Sequence, residues 1–311
     1  MLDVLERAPE AQALSPDEAL QRRLAALNKR RLNPGLPSPD WRDEVADDLE
    51  ELRVEGEFLE RERDAIRGWA ASAPTDAKGF DAWLTKLTAT GPGQGDPLFP
   101  WLEHEATMDQ MKWFLTQEVA GEAGFEDLTA LTQIKMPIPA KLELARNYWD
   151  EMGRGNRKGM HGPLLETLAH RLDLSPSTET TVAEALALAN TMAGLAWNRR
   201  YAWHSLGALG IIEQTAPDRA AAVGRGLKRL GVPAGDRHYF DLHAILDVKH
   251  SIAWNAEAIW PVVDEDPRVA HPIAEGALMR LVCGKRCFDR YRRELGWTDG
   301  PNGSNTVPPA H

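Results

Sequence analysis

Cysteine is almost absent from this chain: Cys283 and Cys287 are the only two in 311 residues. Their i, i+4 spacing is a weak signal for a redox pair or a metal site. Two reduced thiols in a cytosolic protein is the plainer reading. Long apolar runs are missing too. None approaches the roughly 18 residues needed to span a bilayer. The opening Met1-Leu-Asp-Val-Leu-Glu-Arg7 lacks the basic-then-apolar order of a signal peptide. A cytoplasmic protein with no membrane partner is expected. Basic charge is in deficit: 36 Lys and Arg face 47 Asp and Glu, for a formal charge of −11. That argues against a general nucleic-acid or anionic-membrane binder. No stretch sustains period-2 alternation, the signature of half-buried strands. No repeat of about 20–50 residues is visible.

Hydrophobic residues make up 43% and charged residues 27%, which suits a globular chain large enough to bury a core. Helical periodicity dominates. Residues 1–100 read as a charged helical arm. Ser15-Pro16-Asp17-Glu18 supplies a cap, a first-turn proline and acids at the positive end of a helix dipole. That helix should run to about Leu32, and a second from about Asp40 to Ala71, across a Pro/Gly linker. Further helices are expected at about 106–133, 138–152, 161–172, 180–213, 216–230, 236–262 and 267–295, separated by Gly and Pro breakers. Thr215, Pro217 and Asp218 read as a cap and first turn. The fold class is all-α: a bundle over 101–296, the arm over 1–100, and a Pro/Gly/Asn-rich tail over 297–311 expected to be disordered.

The most chemically pointed segment is His243-Ala-Ile-Leu-Asp247-Val-Lys-His250. Positions i, i+4 and i+7 share one helical face. Two imidazoles and a carboxylate there make a half-site for iron, manganese or zinc. Glu213 ends the apolar run that begins at Leu206. A carboxylate there is costly unless a metal neutralises it or the helix has reached solvent. Glu151 and His161 flank a stretch with glycines at 153, 155 and 159. A helix break there either brings the two onto one inward face or makes a surface loop. Glu118 and Glu122 share a face that is either solvated or a further source of carboxylate. Glu151, His161, Glu213, His243, Asp247 and His250 together suit two irons bridged by carboxylates. The ferritin-like pattern would instead need two Glu-x-x-His repeats.

The ordered segments Asp150-Glu-Met-Gly-x-Gly…His161, Gly210-Ile-Ile-Glu213-x-x-x-Pro217 and His238-Tyr-Phe-x-x-His243-x-x-x-Asp247-x-x-His250 resemble the haem-oxygenase-like diiron oxidases and oxygenases. These are iron-containing redox enzymes. The resemblance spans about 105–295 and leaves the first 100 residues outside it. It implies a bundle of about seven helices holding two irons rather than haem, with O2 as co-substrate. It also implies the six residues above as ligands, with a further carboxylate from Glu122 or Glu118. The same ligands would hold manganese. The implied activity is oxidation of a small amine or amino-acid-like metabolite, by N-oxygenation, oxidative desaturation or C–C cleavage. The fold does not select among these. An external electron donor and a homodimer are compatible with it.

Trp197, Arg199, Arg200 and Tyr201 offer an arginine for a substrate carboxylate and an apolar wall. The plainer reading is core aromatics with solvated arginines. Asn147, Tyr148, His238 and Asp241 are candidates for orienting the ligands. Two other classes stay open. One is a metal-independent thiaminase-like or quinone-cofactor-synthesis-like enzyme of the same fold, with Glu and His as acid and base. The other is a non-catalytic helical binding protein that uses the arm.

Overall fold

A computed structural model describes residues 14–122 and 124–297, without the side chains of Pro16, Gly121, Glu122 and residues 246–249. The tail expected to be disordered lies, apart from Trp297, outside the described residues. Every assigned element among the described residues is helical. In chain order they are α1 (Pro16–Leu32), α2 (Trp41–Ala70), α3 (Ala77–Thr90), α4 (Leu98–His104), α5 (Met108–Glu122), α6 (Phe125–Thr132) and α7 (Ile138–Glu151). There follow α8 (His161–Arg171), α9 (Ala183–Trp197), α10 (Ala202–Arg229), α11 (His238–Ala253), α12 (Trp260–Glu265) and α13 (Ala270–Glu294). A π-helical turn, Trp254–Ile259, joins α11 to α12.

The all-α expectation holds, but the bundle has more helices than the seven expected. Gly124, at φ 103°, splits the segment expected to run unbroken over 106–133. The break expected near Thr215 is absent. α10 runs through Pro217, and the chain breaks instead at Asn198. Asn198 adopts an extended backbone, and its side chain accepts the Arg200 N–H at 3.1 Å, a local bond that competes with helix. At Pro217 burial on both sides, from Leu206–Ile211 and from Ala220–Leu227, outweighs the lost backbone bond.

α10 and α13 cross at the centre of the fold. Gly207 lies against the Ile273 carbonyl and Gly276 against the His204 carbonyl, so neither helix has room for a Cβ there. Leu24 and Leu27 of α1 and Phe58, Leu59 and Ile66 of α2 join Leu206, Trp254 and Ile273 in one buried cluster. Residues read as an arm therefore complete the main core. Among the described residues no helix is long and apolar enough to cross a membrane.

Candidate metal centre

The glycine-rich break brings Glu151 and His161 together. Glu151 ends α7 and His161 begins α8. Between them Gly153, Arg154 and Gly155 take φ of 60°, 53° and 82°. A Cβ on Gly153 would also collide with the Gly159 carbonyl group, so glycine is needed there on both counts. The doubled-back loop leaves Glu151 Oε2 2.6 Å from His161 Nδ1. α11 adds His243, whose Nε2 lies 3.1 Å from that same imidazole nitrogen. His243 Nδ1 donates to the Tyr239 carbonyl at 2.8 Å. A carbonyl only accepts, so Nε2 faces the cluster with its lone pair. One ligand atom from each of Glu151, His161 and His243 falls within 4.8 Å of the others.

A second group adjoins the first. Asn147 Nδ2 donates to Glu213 Oε1 at 2.6 Å and lies 3.3 Å from His250 Nδ1. His250 Nε2 donates to Asp150 Oδ2 at 3.0 Å, and Nδ1 then presents its lone pair toward Glu213. A carboxylate behind an imidazole is a common way to orient a metal ligand. Asp150 is in turn held by Arg154 at 2.6 Å.

The electrostatics single out this region. Among the described residues six glutamates are buried. Four have an arginine partner: Glu55 with Arg31, Glu62 with Arg286, Glu143 with Arg146 and Glu275 with Arg63. Among the described residues Glu151 and Glu213 have neither arginine nor lysine, only imidazoles and Asn147. Glu213 Oε2 is buried with no hydrogen-bond donor; His250 Nδ1, at 3.5 Å, is too distant to serve. Burial, reinforced by Glu213 and Glu126, pushes the Glu151 carboxyl up to about 8. Burial lowers His161 to about 4. The close Glu151–His161 contact is therefore a neutral acid against a neutral imidazole. Buried carboxylates without a counter-charge are expensive, and a divalent cation is the counter-charge this donor set fits.

A cavity of about 150 Å³ adjoins the cluster, walled by Glu126, Glu151, His161, Glu213 and His243 on the polar side. Phe114, Phe125, Leu165, Leu188, Ile212 and Phe240 are among its apolar walls. Glu126, in the first turn of α6, is held above the usual carboxyl range by burial, and its charge reaches Glu151 and His161. Sequence reasoning stopped at Glu118 and Glu122, although Glu126 continues their i, i+4 series. Asp150, next to Glu151, was also passed over.

The other expected residues distribute unevenly. Glu118 lines the cavity, where the Tyr291 hydroxyl donates to it. The side chains of Asp247 and Glu122 lie outside the described residues. None of Trp197, Arg199, Arg200 and Tyr201 lines the cavity. The break at Asn198 directs Arg199, Arg200 and Tyr201 elsewhere. Arg199 caps the carbonyls of Leu131 and Thr132, and Tyr201 donates to Glu60 at 2.7 Å. Arg200 stands 3.7 Å from Glu60. Trp197 lies under Arg31 at 5.4 Å. His238 is exposed, and Asp241 pairs with Arg237 at 3.0 Å.

Compared with curated proteins, the chain has no significant match. A family model described as iron-containing redox enzyme, of the haem-oxygenase type, matches residues 112–285. That span exceeds half of the 311 residues. It also contains every member of the buried Glu/His cluster. The chain belongs to this family of iron-containing redox enzymes with a haem-oxygenase-like fold.

Proposed function

We propose that this protein is a nonhaem diiron, O2-dependent oxidase or oxygenase acting on a small amine or amino-acid-like metabolite. The carrying observation is that, among the described residues, Glu151 and Glu213 are the two buried glutamates without an arginine or lysine partner, and both sit among imidazoles. Glu151, His161 and His243 would hold one iron. Glu213 and His250 would hold the second, with Asp247 added from its register on the same face of α11. Glu126 is better supported than Glu118 or Glu122 as an added carboxylate, because its charge reaches Glu151 and His161. When bound, the metal pair supplies the redox chemistry with O2.

The chain's own residues do the rest. The Tyr239 carbonyl and Asp150 fix the tautomers of His243 and His250. Asn147 holds Glu213 in place. The apolar walls keep water from the reacting atoms and orient the substrate. Glu151 gives up its proton when it becomes a ligand. N-oxygenation, desaturation and C–C cleavage all fit this geometry.

Anaerobic Fe(II) loading followed by metal analysis tests the reading. About two irons per chain are expected, and His243→Ala should lose them while keeping its helical circular dichroism. Absence of stoichiometric iron in the unmutated protein would sink the proposal. The same raised pKa at Glu151 would suit a general acid in a metal-independent enzyme, and that alternative predicts turnover without metal.

A further inference from the structure

The cavity contains a cation that the metal centre does not use. Arg280, on α13, lines the cavity and also a second, smaller one of about 40 Å³. The residues that line both cavities, Arg280 and Glu118 among them, include none of the buried Glu/His cluster. Its Nε is fully buried and has no hydrogen-bond partner. Four other arginines also have a buried Nε without a well-aligned hydrogen bond, but each of those places at least one guanidinium nitrogen on a carboxylate or carbonyl. Arg280 has no hydrogen bond or ion pair among the described residues. A buried guanidinium N–H without a partner is expensive. The planar fork is matched to a carboxylate.

Its surroundings define the rest of the ligand. The guanidinium folds back over Gly284, where an added Cβ would lie 2.7 Å from Nη1. Glu118 lines both cavities as well, and like Arg280 it acts on the Cys287 thiol. A carboxylate and a cation at one end can hold the two halves of a zwitterion. Phe125, Leu188 and Ile212 then form an apolar passage.

We propose that Arg280 and Glu118 bind the α-carboxylate and α-ammonium of an amino acid, whose apolar side chain runs toward the Glu151/His161/His243 cluster. This names the substrate class for the diiron reading and rests on it only for the chemistry, not for the binding. In this arrangement the reacting position is the far end of the side chain rather than the α-amino group.

Calorimetric titration of the full chain, metal-free and iron-loaded, with norleucine, norleucinamide and hexanoate tests the assignment. Norleucine should bind to both forms, and both analogues at least tenfold more weakly. Arg280→Gln should weaken norleucine binding at least tenfold while leaving iron uptake unchanged. Gly284→Ala, a helix-favouring change that displaces the guanidinium, should weaken it with circular dichroism and melting temperature retained. Binding of either analogue as tight as norleucine, or undiminished binding by Arg280→Gln, would overturn the assignment. If the unmutated chain takes up no iron yet binds norleucine through Arg280, the metal reading fails and the anchor stands.

Discussion

Each buried glutamate among the described residues is explained by what faces it. Glu275 is paired with Arg63 and His204, so Glu275→Gln should cost about 3 kcal/mol by stranding buried cationic groups. Glu213 faces no arginine or lysine among the described residues, and its Oε2 accepts no hydrogen bond there. Glu213→Gln should therefore stabilise the metal-free protein by about 1–3 kcal/mol, and reduce iron uptake. Chemical denaturation of the two variants checks the contrast; equal losses would mean that Glu213 is an ordinary structural acid. The Glu151 carboxyl, raised to about 8 by burial, must lose its proton to bind metal. Apparent Fe(II) affinity under anaerobic conditions should thus climb between about pH 6 and about pH 8. A flat profile would contradict a protonated Glu151 in the metal-free state. Burial pushes the Cys283 thiol up to about 12 and Cys287 well above its usual range. Both should resist alkylation until the chain unfolds.

At the scale of elements, the proposed ligand helix α11 was legible because His243, Asp247 and His250 share a helical period. The Gly153–Gly159 loop was legible as a break, because glycine leaves a trace in the sequence. Its tight return, which sets the Glu151–His161 contact, depends on backbone approach and was not. Gly153→Ala should cost about 1–3 kcal/mol through positive-φ strain. It should weaken iron binding by separating the two ligands, as metal titration would read. Pro217 misled the sequence reading because local propensity ranks below burial on both flanks. The Asn198 break escaped it because the signal is one side-chain hydrogen bond. An arginine for a substrate carboxylate was sought at Arg199 and Arg200, one turn from aromatics. Arg280 lies more than 60 residues past the apolar run that ends at Glu213, where only the α10–α13 packing brings it to the cavity.

For the whole molecule, the family match begins at residue 112, yet the core does not. Phe58 and Leu59 are 2% and 0% exposed, within the cluster that holds α10 and α13. Phe58→Ala should cost about 3–5 kcal/mol, and removal of α1 and α2 should prevent cooperative unfolding rather than release an intact bundle. At its centre two buried glutamates, without an arginine or lysine partner among the described residues, are held among imidazoles beside a cavity, and they carry the proposed metal centre. Anomalous X-ray scattering from crystals of the iron-loaded protein tests that claim most directly. The account predicts two iron peaks enclosed by Glu151, His161, Glu213 and the His243–His250 face of α11. Iron-loaded crystals with no peak there, or with metal bound only at the surface, would contradict it.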